Sequence, residues 1–394
     1  MNAKCLLIGL PATMLLASIA PAQEREPDPG FGRWITVFDG STFDGWYASK
    51  PEGADWNWAI GDGAMTNMAD PAKRKHNVAT TRKFHNFEAH VEFKVRGENE
   101  GNSGLYLRGR AEIQIRDSYG KLDLNDPEAK RHVGALYQYA PPLANASRPA
   151  GEWNEVDLRF IGTHLNVLLN GVLVQNNTFL PHKTGQGRTD AFDSPGIFEL
   201  QGDHDKVWFR NIRVRPMFEQ PGWRPLFNGT ELTGWRSIDG AEGKWVVENG
   251  ELTNVGFPIP DLLTEEDFGD FLLHYEYKSE GNSGLFLRNL WEIQIHNSHG
   301  KEATKNSDGA LYDFFPPRVN MSKPQGEWSV VEVAVIGRKI TVFHNGVLTH
   351  DGAECPARTY NTRDASNLDA PGPIRLQGDH GRVWFTNLWI LPLE

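Results

Sequence analysis

Two stretches of the chain gather residue types that can move protons. Arg108 to Asp117 reads RGRAEIQIRD, and Arg288 to Asn297 reads RNLWEIQIHN. On an extended strand Glu112, Gln114 and Arg116 face one side and Ile113 and Ile115 the other. One face is then core, and the other carries a row of hydrogen-bonding groups. Glu292, Gln294 and His296 repeat that row. An ordinary strand with a solvated outer face has the same pattern, but the return of Glu and Gln in a second place favours a polar sheet facing a ligand. The other stretch is Gln201-Gly202-Asp203-His204, which returns as Gln377-Gly378-Asp379-His380. Gly-Asp suits a tight turn. A turn needs no His, however, and an imidazole beside a carboxylate is tuned for proton transfer near neutral pH. His204 and His380 are therefore general bases or turn residues, with Gln201, Asp203, Gln377 and Asp379 as partners for a substrate. Tyr137 and Tyr312 each precede a Pro-Pro pair and are either ligand-facing rings or packed corners.

The elements that must position these groups occur twice. Gly101-Asn102-Ser103-Gly104-Leu105-Tyr106-Leu107-Arg108 returns as Gly281-Asn282-Ser283-Gly284-Leu285-Phe286-Leu287-Arg288. Gly134-Ala135-Leu136-Tyr137, Gly151-Glu152-Trp153 and Asn170-Gly171-Val172-Leu173 return as Gly309-Ala310-Leu311-Tyr312, Gly326-Glu327-Trp328 and Asn345-Gly346-Val347-Leu348. A repeat this long is a domain duplication and not a solenoid. Two domains are expected, at 31–215 and 223–394, joined by a linker at 216–222. Phe87 to Val95 and Phe271 to Lys278 alternate apolar and polar residues as half-buried strands do. Asn170-Gly171 suits a type I′ hairpin turn. Leu263 to Phe268 is the one stretch with a hint of a helical turn. Many short strands between Gly, Pro and Asn turns predict an all-β chain of two β-sandwiches.

Composition narrows the partners. Of 394 residues, 40 are Lys or Arg and 51 Asp or Glu, so the formal net charge of −11 disfavours nucleic acid and anionic membranes. The 13 Trp residues are many for this length; some must fill cores, but an indole face also stacks on a sugar ring, which hints at a small carbohydrate as partner. Lys4 followed by the apolar run Cys5 to Ala20 and by Ala20-Pro21-Ala22 reads as a signal peptide at 1–22. The expected mature chain starts at Gln23 with a flexible leader at 23–30, carries no membrane anchor, and lies in the periplasm or outside the cell. Cys355 would then be its single thiol, so no intrachain disulfide can form. Phosphate loops, zinc-protease signatures and serine nucleophile elbows are absent from the sequence. Nothing in it fixes an oligomeric state.

Taken together, the shared elements resemble the 3-keto-disaccharide hydrolase domain. These are Phe38-Asp39-Gly40 with Gly45-Trp46, the Gly-Asn-Ser-Gly-Leu run, Glu-Ile-Gln-Ile, Gly-Ala-Leu-Tyr, Gly-Glu-Trp, Asn-Gly-Val and Leu-Gln-Gly-Asp-His. The resemblance covers nearly all of the mature chain, twice. It implies two tandem concanavalin A-like jelly-roll domains, each with a concave ligand face. It also implies a chemistry: a ketone at C3 of a sugar acidifies the C2 hydrogen, a base removes it, and the C1–oxygen bond breaks by elimination. His204 or His380 would be the base, with Arg108 or Arg288 facing the enolate. Glu112 and Glu292 would orient the sugar or share in holding a divalent cation, although the sequence makes no cofactor evident. Glu112 to Asp117 also resembles a degraded family 16 glycoside hydrolase strand, with Glu112 as nucleophile and Asp117 as acid. Asn297 stands in the second copy where Asp117 stands in the first, which makes the first the expected catalyst. A non-catalytic tandem sugar-binding module is the other reading.

Overall fold

The fold follows from the alternation just described. The computed structural model describes residues 32–393 apart from 52–54, 69, 71, 74, 97–100, 122, 124–125, 190–193, 241–243, 257, 361 and 363–366. The expected signal peptide and leader lie outside the described residues. In the strand Asn86–Val95, Phe87, Ala89, Val91, Phe93 and Val95 are buried inward, and Glu88, His90, Glu92 and Lys94 point the other way. That strand lies in an eight-stranded antiparallel sheet, beside Asn154–Ile161 on one edge and Val207–Met217 on the other. A five-stranded sheet covers its inner face, in the order Trp46–Lys50, Asn77–Phe84, Gly196–Leu200, Ser103–Leu107, Ala111–Ile115. Leu105, Ile113, Phe198 and Leu200 of the small sheet meet Phe87, Phe93, Phe160 and Phe209 of the large one. Each such fully buried aromatic stabilises the sandwich by roughly 1.5–3 kcal/mol.

The second copy repeats this plan. Its eight-stranded sheet centres on Phe271–Ser279 and Val383–Pro392, and its five-stranded sheet runs Trp235–Ser237, Leu262–Thr264, Arg375–Leu376, Ser283–Leu287, Trp291–Ile295. The protein is thus two jelly-roll β-sandwiches in tandem. Both hairpins expected from Asn-Gly form, with Asn170 and Gly171 at φ 51° and 78° and Asn345 and Gly346 at 48° and 80°, as a type I′ turn requires. Two details differ from expectation. Leu262–Thr264 is a strand in the small sheet, because Leu262 and Leu263 pair with Leu376 and Arg375, so the hinted helical turn is absent there. The closing strand of the first copy also runs on to Met217, because Pro216 and Met217 still pair with Phe87 and Asn86. The first two residues of the expected linker therefore belong to the sheet.

The large sheets of the two copies pack back to back. Ile161, Met217 and Phe218 meet Leu272, Ala334 and Leu391, and the Phe218 ring stacks on Trp389 at 4.9 Å. Beside this apolar strip Arg159 Nε sits 3.1 Å from Glu276, and Arg215 bridges Glu88 at 2.9 Å and Glu332 at 3.3 Å.

Candidate functional site

The outward face of the small sheet is where the polar row lies. Ser103–Leu107 and Ala111–Ile115 pair with Gly104 opposite Gln114 and Tyr106 opposite Glu112, and Tyr106 in turn lies opposite Glu199. Glu112, Tyr106 and Glu199 therefore form one line across three strands. Glycine at 104 makes room for it, since a Cβ there would sit 2.6 Å from Glu112 Oε1. Thr184 caps the line from above, its hydroxyl accepting from the Glu112 backbone N–H at 2.7 Å. Tyr137 closes a side, with its own backbone N–H donating to the Glu112 carbonyl at 3.0 Å.

Glu112 is 2 % exposed. Burial is the largest influence on it and raises its pKa to about 7, against the lowering effects of a hydrogen bond with Tyr106 and the charges of His204 and Lys50. The Asp203 charge adds to the rise. Close enough to Glu112 for the two charges to act on one another, His204 Nδ1 binds Asp203 Oδ1 at 2.6 Å, and this bond, ahead of any burial effect, raises the imidazole pKa above its usual 6.5. Nε2 makes no hydrogen bond among the described residues and the ring is half exposed. The Gly202 turn is held from below: Asn77 Oδ1 accepts from the Gly202 N–H at 2.9 Å, and a Cβ at 202 would come 2.5 Å from the His76 carbonyl. Asn77 and Ser49 also donate to Glu199 Oε1 at 2.9 and 3.1 Å, with Lys50 Nζ at 3.9 Å. Lys50 lies over the Tyr106 ring, 5.0 Å from its centre.

Several expected residues fall here and others do not. Glu112, Asp203 and His204 converge, and Gln201 reaches Tyr106 through its amide at 3.5 Å. Gln114 donates to Asn102 Oδ1 at 2.8 Å and leaves its own buried Oε1 without a partner among the described residues, as does Gln201. Arg108 does not face this cleft. Its guanidinium donates to the His85 and Gly162 carbonyls at 2.6 and 2.8 Å and lies over the Phe160 ring of the core. Arg288 is likewise bound inward, to the Gly269 carbonyl at 2.7 Å and Asp270 at 2.8 Å. Both arginines therefore pin the ends of strands. Asp117 pairs with Lys121 at 3.1 Å beyond the end of the strand. The pairing of Ala111–Ile115 shows no bulge that would swing Asp117 back towards Glu112, and five extended residues span about 17 Å. A retaining glycosidase needs its carboxyls about 5 Å apart, a spacing that an extended path from Glu112 to Asp117 would not give.

The second copy keeps the frame and changes the charges. Glu292 is again buried, with its pKa raised to about 8 chiefly by burial. Phe286 stands opposite it in place of Tyr106, and Arg375 takes the place of Glu199. Arg375 is bound by the buried Asp261, whose other oxygen accepts from the Gly378 N–H at 2.8 Å, as Asn77 does for Gly202. Ile238 and Asp239 follow the Trp235–Ser237 strand where Ser49 and Lys50 stand in the first copy. His380 binds Asp379 through a short hydrogen bond, and the Tyr312 N–H donates to the Glu292 carbonyl at 3.0 Å. Gln294, His296 and Tyr312 line a common cleft, and Gln377 Oε1 has no partner among the described residues. Tyr106, Glu199 and Lys50 were missed in the sequence. Comparing the two copies would have found all three, because Phe286, Arg375 and Asp239 stand at the corresponding positions and change the hydroxyl or the charge. Among the described residues no group of three His, Cys, Asp or Glu could hold a metal ion.

Two jelly rolls, each with a buried carboxylate and a row of amides on the outer face of its small sheet, define a carbohydrate-active β-sandwich protein. The chain belongs to the 3-keto-alpha-glucoside-1,2-lyase-like domain family, whose profile matches it twice, at residues 33–215 and 222–391. It is 27 % identical over 228 residues to a 3-keto-disaccharide hydrolase of Bacteroides thetaiotaomicron, covering 46 % of this chain and 78 % of the relative. Among solved structures it is similar to a putative glycosyl hydrolase of Parabacteroides distasonis at 29 % identity and a TM-score of 0.40, over 50 % of this chain and 95 % of that one. A second putative glycosyl hydrolase of the same organism matches at 24 % identity and a TM-score of 0.36, over 47 % and 100 %.

Proposed function

We propose that the first copy cleaves 3-keto-glycosides by proton abstraction at C2 followed by elimination. The observation that carries this is the buried Glu112 facing the Asp203–His204 pair, with Tyr106 and Lys50 beside it. His204 Nε2 takes the C2 proton, and the electrons of the broken C–H bond form the C2–C3 double bond of an enolate. Lys50 and the Tyr106 hydroxyl stabilise the charge on the C3 oxygen, the role expected of Arg108. Burial keeps the Tyr106 phenol protonated, since its pKa lies well above 10. The enolate then reforms the ketone, expels the C1 oxygen substituent, and leaves a C1–C2 double bond. Glu112, held partly protonated near neutral pH, gives its proton to the departing oxygen. Addition of water across the new double bond gives net hydrolysis.

Released monosaccharide should be followed from 3-keto-disaccharides and from the matching unoxidised sugars, in deuterated water. The oxidised substrates should be cleaved with deuterium entering C2, and the unoxidised ones left intact, because without the ketone the C2 hydrogen is not acidic enough. His204→Ala should lower the rate by about 10² or more, and His380→Ala should act far more weakly. Equal cleavage of both kinds of substrate without deuterium would refute the mechanism. The reading includes export: Lys4, the apolar run and Ala20-Pro21-Ala22 support a mature start at Gln23 in the periplasm or outside the cell. N-terminal sequencing from the native host should give Gln23; Met1 on a cytosolic product would end that part of the proposal.

A further inference from the structure

The second copy keeps counterparts of the base and the acid in His380 and Glu292 but lacks those of Tyr106 and Lys50, which would stabilise the enolate, and it carries a cleft. Phe286 has no hydroxyl where Tyr106 has one, and Arg375 is held by Asp261 where Glu199 stands in the first copy. The cleft has a volume of about 620 Å³ and is lined by Asn282, Gln294, His296, Ser298, Lys301 and Tyr312 among others. That volume suits a small saccharide.

The wall of this cleft is built and not a loose loop. Asp308, 3 % exposed, accepts from the Tyr277 hydroxyl at 2.6 Å and from the His296 N–H at 3.0 Å. Its own N–H donates to Ser298 Oγ at 3.1 Å, and Asn320 donates to the Ser298 carbonyl at 2.6 Å. Val133 occupies the corresponding place in the first copy, where its N–H donates to Ser118 Oγ. A polar brace thus replaces an apolar residue behind the cleft in the second copy.

The polar atoms left over are acceptors. Gln294, 3 % exposed, has an Oε1 with no partner among the described residues, and the same holds for Asn282 Oδ1. A buried acceptor left unmade costs about 1–3 kcal/mol, so a ligand that donates to both is favoured. Sugar hydroxyls donate and accept, which suits carboxamide side chains such as those of Gln294 and Asn282. Tyr312 lines the same cleft, and an aromatic ring is a side chain that can pack on the C–H side of a pyranose.

We infer that the second copy is a binding site without turnover for a neutral saccharide, held by its hydroxyl groups. The inference rests on assigning turnover to the first copy and adds a separate ligand to the molecule. Titration calorimetry of the full-length mature protein with maltose, trehalose and cellobiose tests it. At least one of the three should bind, and Gln294→Leu should weaken that binding about tenfold or more, the effect of one lost hydrogen bond at the upper end of its usual contribution. Tyr312→Ala should weaken it too, and Gln114→Leu should leave it in place. Thermal unfolding of each variant shows that the loss is local. Binding that survives Gln294→Leu and Tyr312→Ala in folded protein, or no binding of any of the three sugars at millimolar concentration, would overturn the inference. So would loss of 3-keto-disaccharide cleavage in Glu292→Gln with full activity in Glu112→Gln. Absence of cleavage in the unmutated protein, with Gln294-dependent sugar binding intact, would defeat the catalytic proposal and uphold this site.

Discussion

At the scale of single residues, the protonation states of Glu112 and His204 decide how the first copy behaves with pH. His204 must lose its proton to act as base, and its bond to Asp203 sets that loss above the usual 6.5. Glu112 must keep its proton to serve the leaving oxygen, and it gives it up at about 7. Activity should therefore rise with pH as His204 deprotonates and fall as Glu112 does, giving a narrow bell in kcat/KM near neutrality. Asp203→Asn removes the main cause of the raised imidazole pKa, so the rising limb should move to lower pH. Glu112→Gln should lower the rate and abolish the falling limb. A profile whose limbs ignore both substitutions would remove these two groups from the mechanism. The Glu and the His were legible in the sequence because they recur with their neighbours. Arg108 was misread for a definite reason. It is two residues beyond Tyr106 and so shares its face in an unbroken strand, but the chain turns there with φ at 52° and sends the side chain to the carbonyls of His85 and Gly162.

At the scale of elements, the Ser103–Leu107 and Ala111–Ile115 hairpin works because one of its cross-strand neighbours is a glycine. The Glu112 carboxylate leans over Gly104, and a methyl group there would meet Oε1 at 2.6 Å and Cγ at 3.0 Å. Gly104→Ala should drive the carboxylate off its position. We expect a stability loss of about 1–3 kcal/mol, typical of overpacking, and at least a tenfold fall in turnover. Chemical denaturation beside steady-state kinetics measures both, and unchanged turnover would show that the position of Glu112 is not critical. The strand pattern, the Asn-Gly hairpins and the polar face of Glu-x-Gln were readable from period-2 alternation. Glu199 was not readable from alternation, because Gly196–Leu200 reads as a plain buried strand, and only its replacement by Arg375 in the second copy marks it. Its partners Ser49, Asn77 and Lys50 come from segments more than a hundred residues away.

At the scale of the molecule, the two copies are joined through charges that the packing buries. Glu276 is fully buried, and burial alone would raise its pKa. Arg159, His274 and Asn387 outweigh that effect and hold it at about 2. Its contribution to stability is thus complete above its ordinary 4.5 and fades as pH falls towards 2. Arg159→Met leaves that carboxylate buried without its main counter-charge and should destabilise the protein by about 3–5 kcal/mol. The double variant Arg159→Met with Glu276→Leu should recover most of the loss, because no charge remains to be compensated. Denaturant unfolding of the two variants decides the matter: no recovery in the double variant would mean that Arg159 acts by packing alone.

The sequence by itself determined the duplication, the all-β class, the two sandwiches and the polar row on each small sheet. Repetition and alternation are local properties, and any chain with them must fold each copy in much the same way. What only the tertiary structure decided was which charges meet. The Phe271–Ser279 strand alternates like a half-buried one, yet His274 and Glu276 on its outer face are fully covered, because the first copy lies against them. In the same way Tyr106, Glu199 and Lys50 come to stand around Glu112 through the order of strands in the sheet. No spacing along the chain records that order.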